Sequence, residues 1–245
     1  MNTKLVPTAN WLTRPTRPHT LLWMLLTGVF LYAGAWAYWS DFYGAHSLMA
    51  ATPQQVFEQH QWWRAWTTLF AHADVAHLFA NSFPFFLFAW PLMAHFSLGF
   101  FPLAGFAMGG ALTLAVRTTT PSTLARVGAS GVVHWMGAAW VTLYVILENR
   151  QNFKARFASA LFLILMLFTP DTYRPEVSYL THGVGFLSGV AGAWSYSRWH
   201  KTEFAAAERH EVVEEKPWDY GPWHLDPPDG GPEDISPQDG SSHLG

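Results

Sequence analysis

Six apolar runs can be marked in the first 200 residues, at about 20–39, 75–95, 97–116, 128–147, 157–169 and 180–198. Most approach the ~20 residues that a bilayer-spanning helix needs. The fifth is the shortest, and Lys154 and Arg156 can lengthen it by snorkelling to the interface. The first run is too long in its apolar part for a cleavable signal peptide, and no small-residue cleavage site follows it. Polar residues interrupt three of the runs. "AHLFANSF" carries His77 and Asn81, Gly128-Ala129-Ser130-Gly131 opens the fourth run, and "LTHGVGFLSGVAG" carries His182. An ionisable group at membrane depth costs roughly 2.5–3.5 kcal/mol on insertion scales, so function is the default explanation for its presence.

Composition changes the picture in two ways. Half of the 245 residues are hydrophobic and only 13% are charged, against roughly 25% in soluble domains, which argues for a membrane protein. The charges are also segregated. Eleven of the 17 Asp/Glu lie beyond His200 with only Lys201, Arg209 and Lys216 to offset them, while the preceding residues are net positive. Residues 201–245 are polar and rich in proline, so they are expected to be an acidic, largely disordered tail. Its one aromatic island, "KPWDYGPWHL", is a candidate docking motif for an unknown partner. The absence of cysteine excludes disulfides and thiolate metal sites. The chain therefore divides into an N-terminal segment (1–19), a six-helix membrane domain (20–200) and the tail (201–245).

Basic residues set the expected orientation. Lys4, Arg14, Arg17, Arg150, Lys154, Arg156, Arg198 and Lys201 fall on one side of the six spans, and Arg64, Arg117, Arg126 and Arg174 on the other. Eight against four predicts cytoplasmic termini. His77, Ser130 and His182 then lie just inside the outer ends of their helices, at one depth on one side. In the long first connection, Trp62, Trp63 and Trp66 beside Arg64 suit an element lying in the headgroup layer.

The chemistry follows from Ser130. A free hydroxyl is a poor nucleophile and needs a base, for which His134, one helical turn on, and His182, on another span, compete. Small residues at four-residue spacing let helix backbones approach closely. Gly185 and Gly189 supply that spacing directly after His182, which favours His182 as base and leaves His134 to packing. His77 and Asn81 share a helical face and can donate to an oxyanion, with the Ser130 N–H as a further donor. Asp74, three residues before His77, is placed to cap that helix.

In these features the chain resembles the rhomboid family of intramembrane serine proteases. The shared elements are Trp63-Arg64 in the first loop, His77 and Asn81 as H-x-x-x-N, Gly128 to Gly131 as G-x-S-G, and His182, Gly185 and Gly189 as H-x-x-G-x-x-x-G. They run in the family's order over residues 20–200. The resemblance implies an all-α, six-transmembrane-helix bundle, a Ser130–His182 dyad without an aspartate, and an oxyanion site from His77, Asn81 and the Ser130 amide. It also implies membrane-anchored protein substrates and a multi-pass location, expected to be the bacterial inner membrane. No cofactor or nucleic-acid partner is expected. His134 departs from the bulky aromatic usual at its position and is reminiscent of the rhombosortase branch, which processes glycine-rich C-terminal sorting signals. Trp135 departs from the small residue usual there. Two other classes compete: a membrane metal or haem protein using His72, His77, His134 and His182, and an inactive rhomboid relative that only binds membrane helices.

Overall fold

A computed structural model of the chain describes residues 2–119, 121, 127–168 and 179–215. Strand β1 (Asn2–Ala9) is followed by helices α1 (Thr20–Trp39), α2 (Ala45–Met49), α3 (Arg64–Thr67) and α4 (Val75–His95). A kinked turn, Gly99–Ala104, leads into α5 (Gly105–Arg117). Then come α6 (Ser130–Leu147), α7 (Phe153–Phe168), α8 (Tyr179–Trp199), α9 (Lys201–Ala205) and strand β2 (Arg209–Glu215). Among the described residues, those within 6–211 form one compact unit, and residues 2–5 with 212–215 fall in a second.

Each of the six apolar runs carries a helix among its described residues. By length and hydropathy, α1, α4, the segment Gly99–Arg117 and α6 each qualify to cross a membrane. The helix α7 is 16 residues long, and α8 is diluted by His182, Gly183, Gly185, Ser188 and Gly189. The α7 helix begins earlier than the apolar run that marks it. Asn152 Oδ1 accepts the Ala155 N–H at 2.9 Å, so Lys154 and Arg156 sit in its first turn.

The helices bury large apolar and small residues together on their inner faces and leave further large apolar residues exposed on their outer faces. On α1, Leu31 and Ala35 are fully buried while Leu22, Leu25, Val29 and Phe30 are exposed. A Cβ at Gly28 would stand 2.6 Å from the Phe86 ring, and one at Gly34 2.5 Å from Phe70 Cβ. Close approach of this kind is how helices associate where lipid is as apolar as the side chains. At the centre lies α6, packed by α4, α5, α7 and α8 and more buried than the other candidate spans. Hence the helix that carries Ser130 is the axis of the bundle.

At the far end of α6, the buried Glu148 carboxylate accepts from Arg150 Nη2 at 2.7 Å and from Asn10 Nδ2 at 3.1 Å. Burial opposes ionisation there, but these hydrogen bonds outweigh it and hold the carboxyl below its ordinary range. Asn10 is thereby tied to the bundle, and Trp11 Nε1 adds a bond to the His95 carbonyl at 2.8 Å.

The first part of the expected tail, residues 201–215, is ordered. It holds α9 and β2, and β2 pairs with β1 in a two-stranded sheet. Thr8 Oγ1 donates to the Arg209 carbonyl at 3.4 Å across 201 residues of sequence. The backbone finds partners that acidic composition alone does not reveal. Residues 216–245, with the aromatic island, lie outside the described residues.

Candidate active site

The site begins at the first turn of α6. Ala129 at the N-cap provides no side-chain cap, so the initial N–H groups of the helix are not taken up by one. Just before it, Gly128 adopts φ +122° and its N–H donates to the Thr68 carbonyl at 2.9 Å. A Cβ at this position would lie 2.8 Å from His77 Cε1 and 2.9 Å from His77 Nε2. Only glycine meets both demands, the positive φ and the close approach. The turn therefore lays the chain entering Ser130 directly against His77, with Asn81 Nδ2 at 3.9 Å from the same point.

On α4, Asp74 Oδ1 accepts the His77 N–H at 2.7 Å, as a cap should. Asn81 is buried and donates from Nδ2 to the His77 carbonyl one turn back, at 3.0 Å. His77 itself is half-buried. Both residues thus front the Gly128 turn from one helical face.

The third component comes from α8. A Cβ on Gly185 would stand 2.5 Å from the Gly131 carbonyl oxygen, and one on Gly189 2.3 Å from that of Trp135. The two backbones touch at four-residue spacing, beginning next to Ser130. That contact places His182, one turn before Gly185, at the Ser130 end of α6. Its ring is buried and stacks on His134, with centroids 3.9 Å apart and planes inclined by 15°. Among the described residues no hydrogen bond joins Ser130 Oγ to His182. Such bonds often tighten only when substrate binds, so the apo geometry does not remove His182 from the role.

His134 Nδ1 lies 2.8 Å from the Ser130 carbonyl. A ring nitrogen facing a carbonyl is the protonated one, which assigns the tautomer from its partner. His134 is thereby fixed to the backbone of its own helix and wedged between His182 and the edge of Phe168, 4.8 Å away. It fills the place of a bulky aromatic. Trp135 is accommodated because its neighbours are glycines, Gly105 and Gly192, whose Cβ positions would lie 3.3 and 3.6 Å from the indole.

In the Trp-Arg loop the tryptophans and the arginine have different surroundings. Trp62 and Trp63 are about half exposed, as an interfacial element needs, but Arg64 is only 5% exposed. Its guanidinium donates to Gln61 Oε1 and to the carbonyls of Ser47, Leu48 and Ala50, stapling the first loop together. Arginine suits this task because its planar fork offers five donors. His72, fully buried behind the site, meets His77 edge-on at 5.2 Å between centroids. Burial lowers its pKa to about 4, so it is neutral. Among the described residues no group of three His, Asp or Glu is arranged to hold a metal.

Residues 59–199 match the family model described as Rhomboid domain. No curated protein matches the chain.

Proposed function

This chain belongs to the rhomboid family, and from that membership we propose that it hydrolyses peptide bonds in or near transmembrane segments through a Ser130–His182 dyad. The family generally comprises intramembrane serine proteases that act on transmembrane substrates in the bilayer. Its helices make this chain an integral membrane protein. The observation that carries the reading is the backbone contact of Gly131 with Gly185. It holds α6 against α8 beside Ser130 and one turn from His182, which supports pairing the two residues.

In the proposed reaction, His182 takes the Ser130 hydroxyl proton as the oxygen attacks the substrate carbonyl carbon. The carbonyl oxygen becomes an oxyanion stabilised by the Ser130 N–H, His77 and Asn81, at the positive end of α6. Collapse breaks the C–N bond, and the amine leaves with the proton held by His182. Water, deprotonated by the same histidine, then hydrolyses the acyl ester and regenerates Ser130. The rhombosortase subtype rests on His134 alone, whereas the family match concerns rhomboids as a whole.

The test is cleavage of a single-span protein co-reconstituted with the full chain in liposomes. Site-specific cleavage by the wild type, unchanged by a metal chelator, is expected. Loss of activity on chelation would favour the metal-binding class, and an intact substrate throughout would favour an inactive helix binder. The eight-to-four distribution of Lys/Arg supports cytoplasmic placement of both ends of the membrane domain. Reporters fused after residue 200 and inserted within residues 40–60 should register on opposite sides of the membrane. Registration on one side would sink that topology.

A further inference from the structure

The helix α7 is held to the bundle chiefly by α6, and that joint is not closed. A groove of about 520 Å³ runs along it, walled by Trp140 and Tyr144 of α6 and by Ala158, Ser159, Phe162 and Leu163 of α7. The volume falls within the ~300–1,000 Å³ of ligand sites. Its walls are almost wholly apolar, and the outward face of α7 beside it, with Phe157, Leu161 and Leu165, is exposed and apolar as well. Such a groove opens onto hydrocarbon. An acyl chain suits such a groove better than water, which would find too few polar partners.

One end of the groove is polar and basic. The Tyr144 hydroxyl donates to Gln151 Oε1 at 3.2 Å. Arg156 reaches the same rim, where its Nη1 donates to the Val145 carbonyl at 2.9 Å. Arg156 Nε is buried with no hydrogen-bond partner among the described residues. Arg150 is neutralised by Glu148 at 2.7 Å, but no carboxylate among the described residues pairs with Lys154 or Arg156. The first turn of α7 adds the positive end of its dipole to this rim.

From the apolar trough and its unneutralised basic rim, we propose that the α6–α7 groove binds one anionic phospholipid. Its acyl chain lies between the helices, and its phosphate is held by Lys154 and Arg156. Phosphate suits the arginine because charge-assisted hydrogen bonds are the stronger kind. Basic pockets between membrane helices are a recurrent setting for anionic headgroups. Ser130 and His182 take no part, so the site stands or falls independently of proteolysis.

Native mass spectrometry of the purified full chain tests it, with titration of phosphatidylglycerol and phosphatidylcholine of identical acyl chains. The wild type should retain one phosphatidylglycerol at least fivefold more tightly than phosphatidylcholine. Arg156→Gln should weaken phosphatidylglycerol binding about fivefold, the factor for one basic group at a lipid surface, and leave phosphatidylcholine unchanged. Lys154→Gln repeats the test at an exposed residue, should Arg156→Gln compromise folding. Ser159→Trp, which fills the groove, should reduce binding of both lipids. Equal affinity of the wild type for the two lipids would overturn the proposal. Undiminished phosphatidylglycerol binding in Ser159→Trp would do the same, because the anion would then sit on the surface without a chain in the groove.

Discussion

Ser130→Ala and His182→Ala are each expected to eliminate substrate cleavage, with losses of turnover on the order of 10⁶, the scale known for the nucleophile or base of a serine hydrolase. The double variant is no worse than either single one, because the two groups act as a unit and removing one already disables the other. Both variants keep their fold. Ser130 contributes only a small side chain at the start of α6. The α6–α8 joint is made by the backbones at Gly131–Gly185 and Trp135–Gly189, which neither substitution touches. His134→Phe retains substantial activity, since a phenyl ring can stack on His182 as the imidazole does at 3.9 Å. Turnover by purified variants, with thermal melting as the control for folding, checks all four. An inactive His134→Phe beside an active His182→Ala would reverse the assignment of the base.

The second large effect concerns His77 and Asn81. Each replaced by Ala is expected to lower turnover by roughly 10²–10³, the range for one lost oxyanion donor. The loss appears in kcat rather than in KM, because the interaction forms as charge develops in the transition state. Asn81 is the more informative of the two. Its side chain already donates to the His77 carbonyl at 3.0 Å, so a purely structural role is a real alternative, and it has a different signature. Under that alternative Asn81→Ala melts earlier while the surviving folded protein turns over normally. Measuring Tm and kcat on the same preparations separates the two. Normal turnover in both variants removes the pair from the site.

What the sequence made legible is what local periodicity and composition encode. The six apolar runs fall on helices, and Asp74 caps α4 as its spacing suggested. Glycines at four-residue intervals after His182 pointed to a close backbone contact, and the structure shows which partner it meets, at Gly131 and Trp135. Other features depend on residues that meet only through tertiary folding. Arg64 reads as a headgroup anchor among tryptophans until the chain folds back and delivers the carbonyls of Ser47, Leu48 and Ala50 to it. Gly128 reads as one small residue among many until the His77 ring occupies the space a Cβ would need. The pairing of β1 with β2 joins segments some 200 residues apart, so no local pattern announces it.

Activation of Ser130 as a nucleophile by His182 is open to covalent labelling. The purified full chain is treated with a fluorophosphonate, which phosphonylates an activated serine, and the modified residue is located by mass spectrometry. The expected result is a single adduct on Ser130, absent from Ser130→Ala, lost in His182→Ala and kept in His134→Phe. An adduct on another serine, or undiminished labelling of Ser130 in His182→Ala, would contradict the account.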